Sequence, residues 1–82
     1  KKKGRTEVPP GIDGALFERL REARLALAKD KGVPAYVVCH DRTLIEMAAI
    51  KPQTLAQMSQ VHGMGPARIA AWGDAFLAVV QE

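Results

Sequence analysis

Side chains able to do covalent chemistry are few in this 82-residue chain: one cysteine, Cys39, and two histidines, His40 and His62. Cys39 and His40 adjoin, but adjacent residues of a helix or strand point apart, so they make no nucleophile–base dyad. Neither histidine has an obvious carboxylate or nucleophile partner at helical spacing. A single cysteine excludes an internal disulfide and a Cys-rich zinc site, and reads instead as a small core hydrophobe. No Walker-type phosphate loop, metal motif or G-x-S-x-G is present. The sequence therefore predicts a binding module with no catalytic residue, no metal and no cofactor.

Binding chemistry has two candidate seats. Gly63-Met64-Gly65-Pro66 leads into a helix with Arg68 in its first turn. Glycines there can turn backbone N–H groups outward, and a helix start adds partial positive charge, so Gly63, Gly65 and Arg68 form a candidate phosphate cradle. The same glycines equally suit a tight turn between two helices. The second seat is Glu18 and Glu22, which helical spacing places together on a wet face as a candidate protein-contact surface.

Charge qualifies the first of these. The net charge is +3. Residues 1–11 hold four basic groups against one acidic, whereas residues 12–82 hold eight of each. Affinity for nucleic acid rests mainly on neutralising phosphates, so a neutral body predicts weak binding. The excess sits in Lys1, Lys2, Lys3 and Arg5, ahead of Val8-Pro9-Pro10-Gly11, and residues 1–11 read as a basic linker to an upstream segment. No apolar run reaches the roughly 20 residues of a membrane span, and no apolar segment follows the basic start as in a signal peptide.

Helices must position these groups. Asp13 predicts the cap of a first helix that ends at Gly32, with Leu16, Leu20, Ala23 and Leu27 as its apolar stripe and Phe17 widening it. Arg21 and Arg24 flank that stripe. Pro34 suits the first position of a short helical turn through Cys39. Asp41 is expected to cap a helix to Ile50 that faces Leu44, Met47 and Ala48 inward. Thr54-x-x-Gln57 fits a capping box ahead of Leu55, Met58 and Val61. Pro66 opens the last helix, with Ile69, Trp72, Phe76 and Val79 as its stripe. The expected fold is all-α: five helices over residues 12–82, two of them long.

Five blocks then occur in order: Leu16-Phe17-x-x-Leu20-Arg21-x-x-Arg24; Val33-Pro34-Ala35-Tyr36-Val37-Val38; Asp41-x-Thr43-Leu44-x-Glu46-Met47-Ala48; Val61-x-Gly63-Met64-Gly65; and Trp72-Gly73-x-x-Phe76-Leu77. Across residues 12–82 they resemble the helicase-and-ribonuclease-D C-terminal (HRDC) domain, the middle blocks being most like those of bacterial RecQ DNA helicases. The resemblance implies a compact, monomeric five-helix bundle without an ATPase of its own. Such a domain tethers or tunes a helicase core on single-stranded or branched DNA during repair and recombination, in the bacterial cytoplasm at the nucleoid. Its implied partners are DNA, held weakly, and the upstream helicase domains or another protein.

Relatives that bind single-stranded DNA carry an aromatic at the position of Tyr36, so the resemblance makes Tyr36 a candidate base-stacking residue. Where relatives place basic side chains early in the last helix, this chain has Ala67, Ala70 and Ala71 around Arg68. Three readings follow: a regulator of DNA-structure choice through weak DNA contacts or the Glu18/Glu22 surface, a direct single-stranded DNA module, and an RNA-binding domain of a ribonuclease D.

Overall fold

Asp13 starts the first helix as its position predicts, its Oδ1 accepting from the Leu16 N–H at 3.0 Å. In the computed structural model, which describes residues 9–82, helix α1 runs Gly14–Lys31. Gly32 ends it in the left-handed conformation at φ 74°, and the Val33 N–H closes the turn on Ala28 O at 3.0 Å. Helix α2 is the single turn Ala35–Val38, and α3 runs Asp41–Ile50. Another single turn, α4, spans Leu55–Met58. The last helix, α5, is continuous but changes pitch, with Pro66–Arg68 α-helical, Ile69–Gly73 a π turn, and Asp74–Val80 α-helical again. No strand occurs among the described residues. The linker assigned to residues 1–11 lies outside them up to Val8; Pro9 to Gly11 form a turn closed by the Ile12 N–H on Pro9 O, and Ile12 packs on the core.

α1 is the spine, lying against α2, α3 and the end of α5. Its buried row is Leu16, Leu20, Arg24 and Ala28, with Phe17 beside it. The expected stripe bends: Ala23 and Leu27 are only partly buried, and an arginine stands in the core row. Sequence reasoning kept charge outside; the site geometry below gives the reason it is inside. Leu44, Met47 and Ala48 face inward from α3 as expected, joined by Val38, Cys39, Met58, Val61, Met64 and Phe76.

Four local expectations are corrected. Pro34 is the N-cap of α2, one place ahead of its first turn. His40, not Asp41, is the N-cap of α3; Asp41 lies in the first turn because its carboxylate is held elsewhere. In the capping box, Thr54 Oγ1 accepts from the Gln57 N–H at 3.1 Å, but Gln57 Oε1 reaches back to the Gln53 N–H at 2.7 Å, one residue early. In α5 the wide π turn changes the phase, so Phe76 and Val80 are buried and Val79 only partly. Gly73 occupies that turn against Leu55 and Ile69, where a Cβ would stand 3.1 Å from each.

The Asp13 cap should be visible in acid. Its carboxyl is held below the ordinary carboxylate range, chiefly by the Leu16 N–H; desolvation opposes this, and the nearby Lys51 ammonium adds to the lowering. A depressed folded-state pKa contributes stability above the unfolded value that is lost as pH falls through the folded one. The melting-temperature difference between wild type and Asp13→Ala is therefore expected to narrow from about pH 5 to about pH 2. A constant difference across that range would mean the cap acts without its charge.

Candidate nucleic-acid interface

α2 is too short to be stable alone and is pinned at both ends. Pro34 fixes its entry, and the Cys39 N–H closes on Ala35 O. Val38 and Cys39 sink into the core, which leaves Tyr36 outside and 62% exposed. Its ring lies nearly parallel to that of His40, at 16° and 6.4 Å between centroids. That is within the range in which offset aromatic pairs attract. The backbone breaks between α2 and α3, so the two rings meet across a corner.

The second element here is the turn before α5. Arg68 donates to Gly63 O at 3.3 Å and to Val37 O at 3.4 Å. The guanidinium thus ties the glycine turn to the carbonyl end of α2, next to Tyr36. Gly63 takes φ 91° over buried Thr43, whose hydroxyl stands where a Cβ at position 63 would go. Gly65 is the N-cap of α5 with extended backbone and open space around it. The structure therefore brings Tyr36, Gly63 and Arg68 to one corner; Gly63 also has a packing role, and Gly65 faces outward.

An open groove of about 520 Å³ runs beside the ring pair, lined by Arg24, Ala35, Tyr36, His40, Asp41 and Arg42. Arg24 explains its own burial there. Its Nη2 pairs with Asp41 Oδ1 at 2.6 Å and its Nη1 donates to Cys39 O at 3.1 Å. This pair fastens α1 to the corner that carries the rings, and it withdraws Asp41 from capping. Burial pushes the Cys39 thiol up to about 11, so it stays protonated and unreactive at neutral pH. No group of three His, Cys, Asp or Glu residues suited to a metal occurs among the described residues.

Glu18 and Glu22 lie around the side of α1. Glu18 is paired with Arg21 at 2.9 Å, one turn along. Glu22 lines a smaller groove of about 190 Å³ with Arg21, Arg24, Leu25 and Ala35. Because Arg24 and Ala35 line both grooves, the two expected faces are neighbours. His40, Arg42 and Arg24 are the site residues that sequence reasoning missed. No single-helix spacing pairs Tyr36 with His40, because the extended Cys39 separates α2 from α3, and the one signal for Arg24 was its place in the i, i+4 row from Leu16 to Ala28.

The ATP-dependent DNA helicase RecQ of Haemophilus influenzae is 39% identical over 70 residues, covering 85% of this chain and 11% of that protein. The ATP-dependent DNA helicase UvrD2 of Mycobacterium tuberculosis is 36% identical over 70 residues, covering 85% of this chain and 10% of its own length. The chain thus spans about a tenth of the curated relatives it matches. Among solved structures, D. radiodurans RecQ HRDC domain 3 superposes with a TM-score of 0.81 at 41% identity, over 83% of this chain and 90% of that one. The HRDC domain family model matches residues 13–80, from the Asp13 cap to the end of α5. With the five helices, the glycine turn and the α2 corner all inside that match, the chain belongs to the HRDC domain family.

Proposed function

We propose that this HRDC domain is a non-catalytic accessory module of a RecQ-type DNA helicase, steering the enzyme among DNA structures through a weak grip on single-stranded DNA. The observation that carries the reading is Tyr36, exposed on a rigid corner and backed by Arg68. An exposed aromatic accepts any base face, so such contact is tolerant of sequence. Weakness follows from charge. Residues 12–82 balance eight basic groups with eight acidic, and Arg19, Arg21, Arg24 and Lys51 each lie against a carboxylate. ATP hydrolysis would belong to the helicase core; through a linker, even a weak second contact raises the local concentration of that core on DNA.

The test is fluorescence anisotropy of a labelled oligothymidylate with the 82-residue chain. Tyr36→Ala is expected to weaken binding by about 1–2 kcal/mol, the lower part of what one stacked base contributes, or roughly 5- to 30-fold. Arg68→Ala should cost less. For residues 12–82 alone, without the basic run ahead of them, the logarithmic salt slope should stay shallower than about −2, fewer than about three phosphates at about 0.7 each. Binding indifferent to Tyr36→Ala would sink the reading.

A second reading has its own observation. Leu25 is 55% exposed beside Glu22 on the neighbouring groove, an apolar residue rimmed by charge as at protein contacts. If that surface acts, Glu18→Lys with Glu22→Lys changes the DNA-structure preference of the full helicase while Tyr36→Ala leaves it unaltered.

A further inference from the structure

We infer that His40 is a second nucleic-acid contact, forming with Tyr36 a two-ring platform, and that Arg42 holds a phosphate of the strand lying on it. This rests on the single-stranded DNA reading above and extends it to residues of α3.

His40 is the N-cap residue of α3, yet its side chain makes no capping bond. Its backbone carbonyl accepts the first bonds of the helix, from the Thr43 N–H at 3.0 Å and the Leu44 N–H at 3.3 Å. The imidazole is exposed, and its recorded ring contact is the nearly parallel one with Tyr36. Folding therefore uses the His40 backbone and leaves its ring for another task. Two nearly parallel rings with centroids 6.4 Å apart on different helices each keep an outer face, so together they offer bases two stacking positions. The break between α2 and α3 fixes their relative position.

Charge around the rings points the same way. The groups facing the groove are Arg24 from α1, Tyr36 from α2, and His40, Asp41 and Arg42 from α3. Asp41 is balanced by Arg24 at 2.6 Å. Arg42 adds positive charge on an exposed position of the first turn of α3, at the rim of the same groove. A base on the rings leaves its phosphate to be met at that rim.

The experiment is oligothymidylate anisotropy with the 82-residue chain, with thermal melts of every variant. His40→Ala is expected to weaken binding about fivefold or more, since one stacked base contributes at least about that. His40→Phe keeps a flat ring, so it should hold the affinity of wild type. Arg42→Ala should make the logarithmic salt slope shallower by about 0.7, the loss of one phosphate. None of these residues lies in the core, so melting temperatures should stay close to wild type.

If Tyr36→Ala weakens binding while His40→Ala and Arg42→Ala leave affinity and salt slope unchanged, Tyr36 acts alone; the inference is then wrong and the function stands. If Tyr36→Ala is silent as well, both are wrong.

Discussion

Asp41→Ala is expected to cost the fold about 3 kcal/mol, and Arg24→Met only about 1, although the two residues form one ion pair. The asymmetry follows from which partner can return to water. The Arg24 side chain is 11% exposed, Asp41 30%. Arg24 Nε has no hydrogen-bond partner, so its guanidinium already depends on Asp41 and Cys39 O for compensation. Removing the carboxylate strands a buried charge, which typically costs about 3–5 kcal/mol; the partial opening to the groove supports the lower end. Removing the arginine leaves a carboxylate that is 30% exposed and can hydrate. Met at position 24 extends the apolar row of Leu16, Leu20 and Ala28, and the main loss is one donor to Cys39 O, about 1 kcal/mol. Urea unfolding of both variants measures this directly. Equal losses would mean that the bonds of the guanidinium, rather than its unpaired charge, dominate.

That pair also marks where reading the sequence ran out. Helix starts were legible because caps are local: Asp13, Thr54 and Pro66 each open a helix as their chemistry dictates. The inward face of α3 was legible from Leu44, Met47 and Ala48, because an amphipathic helix encodes its own orientation. Arg24 was not, since burying a charge depends on a partner 17 positions away, and no periodicity announces one. The misplacement of Asp41 is the same miss seen from its partner. The π turn in α5 was hidden likewise: it depends on Gly73 fitting between Leu55 and Ile69, a contact between helices.

At the site, the resemblance selected Tyr36, and the structure leaves its ring in solvent. His40 was weighed only as a catalyst, beside Cys39 and without a base. Its stacking on Tyr36 arises because α2 ends and α3 begins at that corner, which no single-helix pattern describes. Glu18 and Glu22 share the face their spacing assigns, but spacing did not reveal that Arg21 takes up Glu18.

The glycine turn supplies the other large effect. Gly63→Ala is expected to destabilise the domain by about 3 kcal/mol, from a strained backbone costing about 1–2 and overpacking costing about 1–3. At φ 91° an L side chain is disfavoured, and the new methyl group would meet the Thr43 hydroxyl, which is buried at 3% exposure and has little room to yield. Gly65→Ala is the internal control: its backbone is extended and nothing lies near its Cβ position, so its stability should stay within about 0.5 kcal/mol of wild type. The two contributions at position 63 separate in a double-mutant cycle. Thr43→Ala removes the opposing hydroxyl but not the φ strain, so Gly63→Ala should cost at least about 1 kcal/mol less in that background. A cycle that closes without coupling would place the whole penalty in the backbone. The site should register the change too, because Gly63 O accepts from Arg68, which in turn donates to Val37 O beside Tyr36. Displacing the turn should therefore weaken oligothymidylate binding in Gly63→Ala beyond any unfolded fraction, with recovery when Thr43→Ala relieves the collision. Full affinity in the folded Gly63→Ala variant would separate the turn from the proposed contact at Tyr36 and leave Tyr36 to be positioned by Pro34, Val38 and Cys39.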